Sequence, residues 1–78
     1  MEELLAVLTT AKPVVDAETL MNAKDLYGEG IIDSLDIMII LDEINHAFGI
    51  HIGPSDFTRD DFRTVADIYN LIKRHEGK

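Results

Sequence analysis

Seventy-eight residues without a cysteine suit one small domain, 1–78, that neither a disulfide framework nor a thiolate zinc site can staple, so a helical bundle with short connections is the simplest way to close its core. Seven basic against fifteen acidic residues give a net charge of −8, and between Lys24 and Arg59 there is no Lys or Arg, while Asp25, Glu29, Asp33, Asp36, Asp42, Glu43 and Asp56 fall in that window. Such a field argues against nucleic acid and suits basic protein partners, although taken alone it is explained more simply as an acidic surface that keeps a small protein soluble; the acidic start Met1-Glu2-Glu3 and the short apolar run from Ile37 to Leu41 argue against a secretory signal and membrane insertion, leaving a cytoplasmic protein as the expectation.

A first helix is expected from Glu2 to about Ala11, with Leu4, Leu5, Val7 and Leu8 on its apolar face. Pro13 should end it, because the residue before a proline avoids the α region. Onward to Gly30 the periodicity is weak. Asp16 can cap a turn through Thr19 to Met21, but Gly28 and Gly30 mark irregular chain, so a long loop is expected between helices one and two. The second helix should run from Ser34 to about Phe48, with Asp33 as N-cap, Asp36 as its capping-box partner, Ile32 and Ile37 as a hydrophobic staple and Gly49 as the stop. Spaced at 100° per residue, Ile37, Ile40, Leu41, Ile44 and Phe48 form one stripe that must face the core. Leu35, Ile39, Asp42 and His46 cluster opposite, with Glu43 nearby. After Gly53-Pro54, Ser55 or Thr58 can cap a short third helix holding Phe57 and Phe62, both expected in the core, and Thr58 and Asp61 have capping-box spacing. Thr64 and Asp67 repeat that spacing before a fourth helix, in which Val65, Ile68, Tyr69 and Ile72 recur at helical intervals and Lys73, Arg74 and His75 meet the negative end.

Ser34 carries the chemistry. As the first residue of a helix it points outward near unpaired backbone N–H groups and the positive end of the dipole, where an attached phosphate is electrostatically favoured. Leu35 and Ile39, ringed by acids beside that hydroxyl, look like a docking surface. Simple capping also explains the Asp33-Ser34 pair, since any helix can begin this way. A hydrolase is not supported: His46 lies twelve residues further along the same helix, about 18 Å away by helical rise, and no G-x-S-x-G elbow is present. Catalytic residues are therefore not assigned, and the chain is not expected to be an enzyme. Nor is a metal site expected, because Asp42 and His46 share a helix face without an evident third ligand and the acidic run lacks EF-hand spacing. An unmodified acidic adaptor that binds a partner helix or groove through Leu35 and Ile39 remains the alternative to a function based on Ser34.

The segment Glu29-Gly30-Ile31-Ile32-Asp33-Ser34-Leu35-Asp36, with its Asp33-Ser34-Leu35 triplet at the start of the second helix, resembles the acyl carrier protein family. Its look is nearest to the D-alanyl carrier branch and stand-alone aminoacyl carriers, through Leu26-Tyr27-Gly28-Glu29-Gly30-Ile31-Ile32-Asp33-Ser34, Phe48-Gly49-Ile50 and Asp56-Phe57-Thr58-Arg59-Asp60. The resemblance covers about residues 4–72 and implies an all-α, monomeric four-helix bundle with a short third helix. It further implies a 4′-phosphopantetheine arm, derived from coenzyme A, on Ser34 beside its motif neighbour Asp33. Leu35, Asp36, Ile39, Asp42 and Glu43 would then bind partners: a phosphopantetheinyl transferase using Mg²⁺, an ATP-dependent acyl or aminoacyl ligase, and downstream acyl-transfer enzymes. The arm would bring the thiol that the sequence lacks and carry the cargo as a thioester. Carriers of fatty acid synthesis are usually acidic where this chain has Ile39, Asn45 and His46, which leans toward a specialised pathway. With Phe48, Phe57 and Phe62 filling space between helices, a small cargo is expected.

Overall fold

The computed structural model describes residues 2–76 and is all-helical over them. Four α-helices are present among the described residues: α1 Glu2–Ala11, α2 Ala17–Asn22, α3 Ser34–Phe48 and α4 Val65–Glu76. Three of them match the expected first, second and fourth helices. The third expected helix is instead a 3₁₀ turn, Arg59–Phe62, and the remaining α-helix, α2, lies inside the segment expected to be loop. α2 is only six residues long and buries Leu20 alone, too short to show an apolar period; its start is legible, since Asp16 accepts the Thr19 N–H at 2.8 Å.

The core is formed by Leu4 and Leu8 of α1, Leu20 of α2, Ile37, Ile40, Leu41 and Ile44 of α3, and Val65, Ile68, Leu71 and Ile72 of α4. Four of the five predicted stripe residues on α3 are thus buried, and Phe48 is half-buried at its edge. Gly49 ends α3 in the left-handed region at φ 62°, its N–H bonded to the Asn45 carbonyl, a conformation glycine adopts without a Cβ clash. Phe62 is fully buried and Phe57 packs edge-on to it with ring centroids 5.1 Å apart. Phe57 itself is only half-buried, a departure from the expectation, because it precedes the 3₁₀ turn and lies over the core's edge.

The connection from α2 to α3 is a built structure. Leu26 and Ile32 plunge into the core, and the Leu26 carbonyl accepts the N–H groups of both Ile31 and Ile32 at 3.0 and 3.2 Å. A 2.6 Å bond from the Leu26 N–H to the Arg63 carbonyl ties this loop to the chain leaving the 3₁₀ turn. Glu29 accepts the backbone N–H groups of Lys24 and Asp25, and Gly30 turns the chain at φ 75° toward Ser34. The loop therefore fixes where α3 begins instead of leaving its start to drift.

Candidate functional site

The start of α3 is held by reciprocal carboxylates. Asp33 accepts the Asp36 N–H at 2.9 Å, and Asp36 accepts the Asp33 N–H at 3.1 Å, the capping box expected from their spacing. The same Asp36 carboxylate meets Lys12, at the end of α1, at 2.6 Å. That contact is the largest cause holding the Asp36 carboxyl below its ordinary range; burial works against it and the box adds to it. Asp36 is thus half-buried and joins two helices, while Asp33 remains exposed.

Ser34 completes none of these bonds. Its exposed hydroxyl lies 3.1 Å from the Tyr27 hydroxyl, so the cap is formed without it. The Arg59 guanidinium carbon stands 4.3 Å from the centroid of the Tyr27 ring. Beside Ser34 is an open, mainly apolar depression of about 280 Å³, lined by Tyr27, Ile37, Met38, Phe57 and Arg59 as well as Ser34. Tyr27 and Arg59 are two site residues that local sequence patterns did not pick out, being seven and twenty-five positions from Ser34; only the folded loop and 3₁₀ turn bring them to the serine.

Leu35 and Ile39 face outward, 70% and 42% exposed, as their places on the helix require. Met38, 52% exposed, joins them and extends the apolar strip toward the depression. Asp42 and Glu43 are exposed farther along α3, as is His46. Asn45 instead turns to the loop after α3: its amide accepts the Ile52 N–H and donates to the Ile52 carbonyl, at 2.9 and 3.0 Å. A carboxylate could accept there but not donate, which gives an amide at this position a structural purpose. No cluster of three or more metal-ligating side chains is found among the described residues, and no helix there is long and apolar enough to cross a membrane.

This arrangement can offer one hydroxyl to an incoming enzyme while keeping its helix capped, with an apolar strip and carboxylates next to it. Comparison with known proteins agrees with that geometry. The family described as phosphopantetheine attachment site matches residues 3–72. The chain is 39% identical over 54 residues to the D-alanyl carrier protein of Lactococcus lactis subsp. lactis (strain IL1403), covering 69% of this chain and 68% of that protein. It is 34% identical over 53 residues to the D-alanyl carrier protein of Streptococcus pyogenes serotype M5 (strain Manfredo), covering 68% and 67% respectively.

Proposed function

The chain belongs to the phosphopantetheine attachment-site family and is a carrier protein bearing a 4′-phosphopantetheine arm, and we propose that this arm is attached to Ser34 of a single domain, 1–78. The observation that carries the assignment is the exposed Ser34 hydroxyl in Asp33-Ser34-Leu35, left outside the capping box and beside an open depression. Esterifying it costs the helix none of its capping bonds. The adaptor alternative, which required an unmodified serine, gives way on the family match.

Carriers of this kind are generally non-catalytic and work with transferases and ligases. The arm supplies the thiol absent from this cysteine-free chain; the chain's own residues present the attachment oxygen and an address. Leu35, Ile39, Asp42 and Glu43 form that address in our reading, with Met38 added to it. Asp36, committed to Lys12 and to the cap, holds the address in place more than it touches a partner. Basic surfaces on an ATP-dependent ligase and on downstream acyl-transfer enzymes fit these carboxylates, and their recognition should weaken with salt over a Debye length of about 8 Å at physiological ionic strength. Use of coenzyme A in attaching the arm and of ATP in loading it favours the cytoplasm as the working compartment, and no step of carriage requires more than one copy of the chain.

The cargo in this reading is a small acyl or aminoacyl group, of the kind for which the D-alanyl carrier relatives are named. Fully buried Phe62, with Ile40, Ile44 and Ile68 around the same core, supports a closed interior. An eight-carbon or longer thioester that proved buried and raised the unfolding midpoint would contradict this choice of cargo. For the attachment itself, incubation with coenzyme A, Mg²⁺ and a broad-specificity phosphopantetheinyl transferase should add one arm by intact mass. Ser34→Ala should add none; an arm on that variant would refute the assignment.

A further inference from the structure

We propose that Tyr27 and Arg59 form a cradle for the arm's phosphodiester, laying the first part of the arm along Ile37, Met38 and Phe57 instead of leaving it free in solvent. This rests on Ser34 as the point of attachment. Tyr27 touches the Ser34 oxygen at 3.1 Å, Arg59 stacks on the Tyr27 ring at 4.3 Å, and all three line the same depression with those apolar side chains.

The charges around Arg59 make it available. Its neighbours along the 3₁₀ turn are already committed, Asp60 to Arg63 at 2.6 Å and Asp61 to Arg74 at 2.9 Å. Asp36, on the near side of the serine, is committed to Lys12. Among the described residues Arg59 pairs with no carboxylate, although the protein carries a net charge of −8. It is also the one cation lining the Ser34 depression. An uncompensated guanidinium beside the hydroxyl of an otherwise acidic region is matched by the single negative charge that a phosphodiester brings.

Geometry and donor chemistry agree. Once esterified, the Ser34 oxygen has no proton to donate, so the Tyr27 O–H becomes the donor and the phosphodiester's non-bridging oxygens become acceptors. The flat guanidinium offers paired N–H groups to such oxygens, and its stacking on Tyr27 orients it beforehand. An exposed ion pair alone contributes little; here the charge is joined to a hydroxyl donor and an apolar trough.

Holo protein should therefore be prepared as wild type, Arg59→Gln, Arg59→Lys and Tyr27→Phe, each checked for one arm on Ser34 by mass and for native helicity by circular dichroism. At low salt, NMR of wild type should show Overhauser contacts from the arm's geminal methyls to the Met38 methyl and the Phe57 ring. Arg59→Gln should lose them, Tyr27→Phe should weaken them severalfold, and Arg59→Lys should retain part. The ³¹P resonance should shift with salt in wild type and much less in Arg59→Gln. An arm on Ser34 whose contacts and ³¹P shift are absent in wild type, or equal in all four proteins, overturns the cradle while leaving attachment standing. Absence of an arm on Ser34 overturns attachment and the cradle together.

Discussion

Two helix starts in this molecule use the same device for opposite ends. At α3, Asp36 accepts the Asp33 N–H and reaches Lys12, the residue just after α1; at the 3₁₀ turn, Asp61 accepts the Thr58 N–H and reaches Arg74 on α4. Each third-position aspartate closes a cap and anchors it to another helix by a cation. Beyond the cap the two starts diverge. The 3₁₀ turn closes over Phe62, which is fully buried, whereas α3 turns Ser34, Leu35, Met38 and Ile39 outward. Capping chemistry thus explains how both starts are held and the function of neither. What distinguishes the proposed attachment site is a hydroxyl that the cap leaves unused.

The largest effects should separate the two starts by what they bury. Phe62→Ala removes a fully buried ring and should cost about 3–5 kcal/mol in urea unfolding, whereas Leu35→Ala should stay within about 0.5 kcal/mol. Similar losses from both would mean that Leu35 has a packing role and the contrast fails.

A smaller, shared effect should come from the anchoring aspartates. Asp36→Asn and Asp61→Asn keep a side-chain acceptor but remove its charge, and each should cost about 1 kcal/mol at neutral pH. Both carboxyls titrate below their usual range. For Asp36 the Lys12 contact is the main cause; for Asp61 burial pushes upward but is outweighed by the Thr58 N–H and Arg74. The unfolded chain therefore binds more protons over the window below an ordinary carboxyl pKa of about 4, so this contribution is complete above that pH and is lost as pH falls through the depressed folded value. Wild type and each variant should converge in stability at acid pH. A difference that persisted there would show that the carboxylate charge is not what anchors the cap.

The smallest change in stability should accompany a clear change in recognition. Ile39→Asp and Asp42→Lys alter exposed positions, so unfolding midpoints should move little while loading of the already modified protein by its ligase slows severalfold. Unchanged loading rates would move the partner surface off this face of α3.

Sequence patterns alone expose the parts of this molecule that depend on neighbours along the chain. The stripe Ile37, Ile40, Leu41 and Ile44, the Asp33/Asp36 box and the Gly49 stop all follow from spacing within a few residues, and each is in the structure. α2 escapes because six residues with one buried side chain carry no period. At the site, the outward places of Leu35 and Ile39 follow from helical phase. The approach of Tyr27 and Arg59 does not, since it depends on the Leu26 to Arg63 hydrogen bond that brings a loop against the 3₁₀ turn. Likewise Asn45 gives no local sign of clamping Ile52, so its lack of a negative charge invites a comparison of partner surfaces when its amide serves the fold.

Fragment mass mapping of the transferase product tests the central claim most directly, because Ser34 competes with Ser55 and five threonines for one phosphopantetheine. The account predicts a single arm, located on the fragment containing Ser34 and on no other hydroxyl. An unmodified chain, or an arm found on Ser55 or a threonine, would contradict it.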